Sequence, residues 1–417
     1  MSQDTPDDNQ DDMPELLAAA DAAEQVSDAD ADAAMDSDSD ADAQLELQND
    51  SVAYFDEPRD SLYAIAQHPT QPGLVAVGGS AGPQDDAPGA GWVVDTTGGS
   101  GALQASWEIH GHLDSVTALA WTMPRGEALV SGGMDGRARL WRGAECVAEA
   151  HEVDEVTWLA ACAAEQHPNL VALGASDGSV WIYKAEASSL DIVASYFIHT
   201  APCTAGAWSA DGALLVSVAQ DSSLVVWDLG RAAAALVLDA SDARFATDGL
   251  YAVALDPRGA FIATAGAAGA IRILSLPAGS LLAALHPCAE SIESLSISAL
   301  PSTTLLAAAS VDGSITVFDA SRNFSIRASF PLAHAPHAVV AIRFIPNDWL
   351  LTSCGMDGVL RRWDLRAATA PGAGLVKEWK GHRGGGDGGG VLAFVQGPKG
   401  DVIVTAGDDG LALVFKA

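Results

Sequence analysis

Histidine and aspartate recur along this chain at positions where they could serve acid–base or metal chemistry. One stretch, from His110 to Arg142, contains His112, Ser131 and Asp135. These residue types also form structural hydrogen-bond networks, because each can donate or accept. The same types return at regular intervals further along the chain. That recurrence favours a structural role in a repeat over a single catalytic or metal site.

The elements that would position these residues are short strands joined by tight turns. After His112 come an alternating apolar run, a second short run, the turn Asp135-Gly136 and a third run that ends at Trp141. Two-residue Asp-Gly turns match the twist of the antiparallel strands that they join. This is the pattern of a WD repeat, in which each copy folds as one four-stranded blade of a β-propeller. In such a blade, His112, Ser131, Asp135 and Trp141 would hydrogen-bond in series.

The pattern recurs through the rest of the chain. A degenerate first copy begins at Ser61, and from Asp135 the turn positions fall at residues 177, 221, 268, 312, 357 and 409, close to the blade period of about 40 to 45 residues. A second complete hydrogen-bonded set is predicted at His199, Ser217, Asp221 and Trp227. The third and fifth copies lack the full set, so we expect those blades to depend on apolar packing.

Burial requires these copies to form a closed ring. A single blade cannot cover both of its faces, so neighbours stack and the terminal blades meet. The last copy shows three strands, and Val52 to Phe55 is a short run suited to supply the fourth and to protect its edge. The sequence therefore predicts an all-β fold over residues 51–417, a single WD-repeat β-propeller with eight blades closed by an N-terminal strand. A seven-bladed ring with the first copy as an irregular extension is the alternative.

The chain is strongly acidic. It contains 21 basic and 55 acidic residues, a net charge of −34, and its first 50 residues hold 17 acidic and no basic residues. Such a segment buries too little apolar surface to offset its ordering entropy, so residues 1–50 are predicted to be a disordered acidic tail. The charge disfavours direct binding to nucleic acid or to anionic membranes and favours basic partners.

Other features narrow the class of protein. The five cysteines are odd in number and far apart, so neither a disulfide framework nor a zinc site is predicted. The acidic N-terminus is unlike a signal peptide, and no apolar run is long enough to span a bilayer. No nucleophile and base can be paired, so we expect no catalytic residues, no metal and no cofactor. The chain is predicted to be a cytoplasmic, monomeric binding protein.

Functional residues are expected where the repeat has no structural need for them. The turn between the second and third strands and the loop that enters the first strand surround one mouth of the central channel, where charges share a concave surface. A ring of carboxylates there suits a peptide rich in Lys and Arg. The peptide-binding candidates are Asp114, Glu152, Asp154, Glu155, Trp158, Glu290, Glu293 and Asp408, with Met134 and Met356 as further apolar neighbours.

Details beyond the generic repeat point to one family. They are the acidic tail, Gly-His-x-Asp-Ser-Val from Gly111, Trp158 followed by His167-Pro168, Gly-x-x-Asp-Gly-x-x-Trp from Gly174, Ile-Glu-Ser-Leu from Ile292 and Val-Thr-Ala-Gly-Asp-Asp from Val404. In these features the chain resembles the ribosome-assembly WD-repeat chaperones of fungi and their animal relative, the angio-associated migratory cell protein. The resemblance spans residues 51–417.

The resemblance implies a dedicated chaperone for a large-subunit ribosomal protein of the L-ten family. Such a chaperone would capture the basic N-terminus of its newly made client and deliver the client to late pre-60S particles. By this analogy Asp114, Glu155, Glu293 and Asp408 would be the charge partners. An acidic WD-repeat scaffold or a histone-binding chaperone is the competing interpretation, since histones are also basic.

Overall fold

The short apolar runs of the sequence fold as strands throughout the computed structural model, which describes residues 48–84, 86–242, 248–366, 374–384 and 388–417. All but the last three positions of the predicted acidic tail lie outside these residues. The described part holds 33 strands and two one-turn 3-10 helices, Ala267–Gly269 and Ala320–Arg322. No helix in it has the length and apolar character needed to cross a membrane.

The strands are short and evenly spaced. In the first half of the chain they are β1 (Ala53–Phe55), β2 (Leu62–Gln67), β3 (Leu74–Ser80), β4 (Gly89–Asp95), β5 (Gly101–Ala102), β6 (Ala105–Ile109), β7 (Val116–Trp121), β8 (Leu129–Gly133), β9 (Ala138–Arg142), β10 (Glu145–Ala150), β11 (Val156–Ala161), β12 (Leu170–Ala175), β13 (Val180–Ala185), β14 (Leu190–Tyr196), β15 (Cys203–Trp208), β16 (Leu214–Ala219), β17 (Leu224–Asp228) and β18 (Ala233–Leu238). In the second half they are β19 (Leu250–Leu255), β20 (Phe261–Gly266), β21 (Ile271–Ser275), β22 (Leu281–Leu285), β23 (Ile292–Ala299), β24 (Thr304–Ser310), β25 (Ile315–Asp319), β26 (Ser325–Phe330), β27 (Val339–Phe344), β28 (Leu350–Gly355), β29 (Leu360–Asp364), β30 (Leu375–Trp379), β31 (Val391–Gln396), β32 (Val402–Gly407) and β33 (Ala412–Lys416).

These strands form eight sheets, which are the eight blades, and the four strands of each blade are antiparallel to their neighbours within the blade. Blade 1 is β2-β3-β4-β6, and blades 2 to 7 each use four consecutive strands from β7 to β30. Blade 8 is β31-β32-β33, completed by β1. The eight-bladed prediction is confirmed, and the first copy is a full blade rather than an extension.

The N-terminal strand closes the ring as predicted. β1 pairs antiparallel with β33, with Ala53 opposite Val414 and Phe55 opposite Ala412. Phe55 is 1% exposed and meets the Trp92 ring of blade 1 edge-on at 6.0 Å between centroids. A feature that the sequence did not predict is β5, which leaves blade 1 and pairs parallel with β1. It covers part of the edge that β1 would otherwise expose.

The first strand of each blade is its inner strand, and the eight inner strands are β2, β7, β11, β15, β19, β23, β27 and β31. The inner strands of successive blades contact one another around the channel and run in the same direction. Near their first residues, Thr117 Oγ1 donates to the carbonyl oxygen of Val156 in the next blade at 2.8 Å. Near their last residues, Trp121 Nε1 donates to the carbonyl oxygen of Ala66 in the preceding blade at 3.2 Å. The first residues of all eight inner strands therefore surround one mouth of the channel, and their last residues surround the other.

Candidate peptide-binding site

A buried hydrogen-bond network fixes the loops at the mouth formed by the first residues. In blade 2, His112 lies 2.8 Å from Ser131 Oγ through Nε2 and 3.0 Å from Asp135 through Nδ1. Trp141 Nε1 donates to the same Ser131 Oγ at 2.9 Å. Burial alone would raise the pKa of Asp135, but hydrogen bonds from His112 and from the Leu113 N–H hold it below its usual range. The series predicted for this blade is confirmed, and its Asp is structural.

The second predicted set, in blade 4, contains one additional residue. His199 Nε2 lies 2.7 Å from Ser217 Oγ, and Trp227 Nε1 donates to Ser217 at 2.8 Å, as in blade 2. However, His199 Nδ1 contacts the Ser223 hydroxyl, which itself donates to Asp221. The serine therefore relays the histidine-to-aspartate contact in blade 4.

Two further networks of the same kind occur in blades 7 and 8. In blade 7, His334 contacts Asp357 and Ser353, both at 2.8 Å. In blade 8, His382 contacts Asp409 at 2.9 Å and Thr405 at 2.7 Å. The described residues contain no group of three His, Cys, Asp or Glu side chains that is placed to hold a metal ion.

The sequence-predicted carboxylates lie around the mouth formed by the first residues, which we call the acidic mouth. Asp114 precedes β7, residues 152, 154 and 155 precede β11, Glu290 precedes β23, Glu293 is the second residue of β23, and Asp408 follows β32. They belong to blades 2, 3, 6 and 8, so they lie on both sides of the channel. Met134 and Met356 occupy the corresponding turns of blades 2 and 7.

These seven carboxylates divide into two groups by their contacts. Three are engaged within the protein: Asp114 accepts from the Ser115 N–H at 2.7 Å, Glu152 from the Tyr183 hydroxyl at 2.8 Å and Asp408 from the Ser61 hydroxyl at 2.6 Å. Among the described residues, no hydrogen bond or ion pair reaches the side chains of the other four carboxylates, which are Asp154, Glu155, Glu290 and Glu293. Unpaired carboxylates that share a concave surface attract cations most effectively.

Trp158 lies in the wall between blades 3 and 4. It is 9% exposed, and a Cβ atom at Gly174 or Gly206 would stand 2.1 Å from its ring. The two glycines therefore create the space that the indole fills. Its position serves blade packing and leaves little of the ring exposed to a ligand.

Sequence reasoning missed two tyrosines at the acidic mouth. In blades 2 to 4 the second residue of the inner strand is a threonine that bonds to the next blade. The equivalent residues of blades 1, 5 and 6 are Tyr63, Tyr251 and Glu293. Tyr63 is 43% exposed, and an aromatic face beside carboxylates suits a Lys or Arg side chain. Alignment of the inner strands would have found these positions, because they depart from the structural threonine.

Exposed apolar side chains accompany these groups. Leu113 is 67% exposed in the loop that enters blade 2, and Leu332 is 81% exposed in the loop that enters blade 7. Both loops lead to first residues of inner strands, so both side chains lie at the end of the ring that bears the acidic mouth. The site therefore combines carboxylates with more apolar anchors than the sequence indicated.

The fold and the repeated histidine networks define a WD-repeat β-propeller of eight blades. The family described as WD domain, G-beta repeat matches residues 103–142 and 191–228. An uncharacterised WD repeat-containing protein of Schizosaccharomyces pombe is 30% identical over 420 residues, which cover 96% of this chain and 97% of that protein. The ribosome assembly protein SQT1 of Saccharomyces cerevisiae is 26% identical over 411 residues, which cover 88% of this chain and 87% of that protein.

A solved structure is more similar still. The crystal structure of Chaetomium thermophilum Sqt1 bound to the N-terminus of the ribosomal protein L10 is 50% identical in sequence and has a TM-score of 0.82. The match covers 89% of this chain and all of that chain. The chain belongs to the Sqt1 family of WD-repeat proteins.

Proposed function

We propose that this chain is a dedicated chaperone that binds the basic N-terminal segment of a newly made ribosomal protein of the L10 type and delivers that protein to late pre-60S particles. The observation that supports this most strongly is the set of four unpaired carboxylates at the acidic mouth. The relative solved with the N-terminus of ribosomal protein L10 is 50% identical to this chain. The S. cerevisiae relative is named as a ribosome assembly protein.

The proposed contacts combine charge with aromatic faces. Carboxylates of Glu155, Glu290 and Glu293 would pair with Lys and Arg side chains of the client. Tyr63 and Tyr251 would offer their ring faces to the same cations. Leu113 and Leu332 would cover apolar residues between the charges. Such a surface binds quickly and is sensitive to salt, since electrostatic steering sets the encounter rate.

Neutralisation of the client is the chemical basis of the proposed chaperone activity. A free Lys- and Arg-rich segment binds any polyanion, because each phosphate contact releases counterions. While it occupies the acidic mouth, the segment cannot bind stray RNA. Ribosomal RNA offers a denser negative charge at the assembly site, so it would displace the chaperone there. No cofactor or turnover is required. We place this activity in the cytoplasm, with residues 51–417 as the binding unit and residues 1–50 as an acidic tail.

Charge reversal at one unpaired carboxylate tests the proposal. Glu293→Lys should weaken binding of an L10 N-terminal peptide by at least about tenfold, because it replaces an attraction with a repulsion. Glu165→Lys is the matched control, since Glu165 is an exposed carboxylate on the turn after β11, at the other end of the ring. Equal affinities for the two variants, measured by calorimetry, would contradict the proposed site. Comparable melting temperatures would show that both variants are folded.

A further inference from the structure

One inner strand has an arginine where the others have small residues. The fifth residues of the inner strands are equivalent, because each pairs with a corresponding residue of the second strand in its blade. Ala120 lies opposite Val130 in blade 2, and Arg343 lies opposite Thr352 in blade 7. The fifth residues of the other blades are Ala66, Ala120, Ala160, Ala207, Ala254, Ser296 and Val395. The propeller repeat therefore does not require an arginine at this position.

Arg343 extends into the mouth of the channel opposite the acidic mouth. It lines a cavity of about 540 Å³ together with Leu119, Trp121, Phe344 and Gln396. We call this the arginine cavity. The side chain of Arg343 is exposed to the space of the cavity. The protein atoms around it lower the pKa of its guanidinium, but an arginine remains charged at neutral pH.

The guanidinium has no counter-charge within the described part of the chain. No hydrogen bond or ion pair reaches it, and no carboxylate lines the cavity. An exposed arginine without a counter-charge attracts anions, and here it occurs in a chain with a net charge of −34. The cavity therefore offers an unpaired cation to an anion from outside the described part of the chain.

The rest of the lining defines the chemistry of that anion. The amides of two lining residues are already used, since Gln67 Nε2 donates to the carbonyl oxygen of Pro72 at 2.7 Å and Gln396 Nε2 to that of Phe344 at 3.1 Å. The backbone of the inner strands is engaged in sheet pairing, so it forms no nest of free N–H groups of the kind that captures a chain's C-terminal carboxylate. Polar and apolar side chains both line the cavity, so its one guanidinium suits a single side-chain carboxylate that has some apolar neighbours.

We propose that the arginine cavity is a second binding site, which takes a Glu or Asp side chain from an acidic, partly apolar segment of a partner protein, with Arg343 as its anion-binding group. This partner differs from the basic client of the acidic mouth, because its charge has the opposite sign. The two ends of the channel would then hold two proteins at once.

Calorimetry on the full chain tests this site with a short blocked peptide that has a central Leu-Glu-Phe. The same peptide with Gln in place of Glu removes only the charge. Arg343→Ala introduces the residue that five other blades have, so the fold should accommodate it. Arg125→Ala is the matched control, because Arg125 is a cation on the turn after β7, at the same end of the ring, with a side chain that is 80% exposed.

The Glu peptide should bind the native chain and the Arg125→Ala variant equally. Arg343→Ala and the Gln peptide should each weaken binding by about tenfold or more, because a charge-assisted hydrogen bond is lost. Equal binding of the Glu and Gln peptides, or equal binding to Arg343→Ala, would overturn the proposal. Displacement of the peptide by inorganic phosphate alone would also overturn it, since that marks a general anion site.

Two further readouts separate this site from a structural role and from the proposed function. Arg343→Ala should melt no lower than the native chain, because the side chain that it removes has no hydrogen-bond or ion-pair partner among the described residues; a large drop in melting temperature would make the residue structural and refute the proposal. The same variant should retain its affinity for the basic L10 peptide, and Glu293→Lys should retain its affinity for the Glu peptide. These measurements therefore distinguish failure of the proposed acidic-peptide site from failure of the proposed chaperone function.

Discussion

The hydroxyl of Ser61, at the entrance to the first blade, donates a 2.6 Å hydrogen bond to the carboxylate of Asp408 in the last blade. The two residues are 347 positions apart in the chain. This bond joins the ends of the ring at the acidic mouth, beside the strand pairing of β1 with β33. Asp408 is thus a carboxylate of the acidic mouth that also contributes to closure of the ring.

Removal of each partner of this bond should have a different result. Ser61→Ala should lower the free energy of unfolding by about 1 kcal/mol, the typical net value of one hydrogen bond. It should leave peptide binding intact, because the Asp408 carboxylate remains. Asp408→Ala should lower both quantities. Denaturant titration and calorimetry measure the two effects, and loss of peptide binding in Ser61→Ala would contradict this division.

Closure by the N-terminal strand predicts a strong effect at Phe55 and a weak one at its neighbour. Phe55→Ala should cost about 3–5 kcal/mol of stability, the usual penalty for truncating a buried phenylalanine. Tyr54 lies on the same strand but is 37% exposed, so Tyr54→Ala should cost much less. Equal costs in chemical denaturation would mean that β1 does not close the ring as the structure has it.

The blade 4 network should make stability depend on pH. Burial lowers the pKa of His199 to about 4, whereas an unfolded histidine titrates near about 6.5. Between these values the unfolded chain binds a proton that the folded chain does not. Stability should therefore be complete above about pH 6.5 and fall as the pH decreases to about 4, by up to about 3 kcal/mol.

Denaturant titrations across this pH range measure the effect. His199→Gln should flatten the decline, while His151→Gln should leave it unchanged, because His151 is exposed. The aspartates with lowered pKa, such as Asp221, add their own loss only below their unfolded pKa of 3.8. A pH profile of His199→Gln as steep as that of the native chain would show that His199 is not the titrating group.

The dependence of peptide affinity on salt concentration should distinguish charge contacts at the acidic mouth from apolar contacts. Exposed charge pairs weaken as the Debye length falls from about 10 Å at 0.1 M salt to about 3 Å at 1 M. Affinity for a basic client peptide should decrease across this range mainly through the association rate, which stopped-flow fluorescence can follow. An affinity independent of salt would indicate that apolar contacts, such as those of Leu113 and Leu332, dominate binding.

The sequence predicted the ring because its signals are local. The His112, Ser131, Asp135 and Trp141 spacing defines one blade, and the apolar run at Val52 to Phe55 defines the closing strand. The relay through Ser223 could not be predicted, since it depends on the distance between His199 and Asp221 across a turn. Strand β5 was also missed, because its two residues pair only with a strand of another blade.

The candidate site was predictable only in part, because contacts between residues distant in the chain decide which side chains are free to bind a ligand. Position in the repeat shows which carboxylates lie at a mouth, but not which are engaged by Ser61, Ser115 or Tyr183. Trp158 has the residue type of a binding anchor, and only the glycines of two neighbouring strands show that it fills the wall. Arg343 and Tyr63 become conspicuous once the inner strands are aligned residue by residue through their pairing.

The most direct test of the central claim is calorimetric titration of the full chain with a peptide from the basic N-terminus of ribosomal protein L10, beside a histone-tail peptide of equal charge. The proposed function predicts tight binding of the ribosomal peptide, weakened by Glu293→Lys, and weak binding of the histone peptide. Equal weak binding of both peptides would show that the acidity is generic and would contradict a dedicated chaperone.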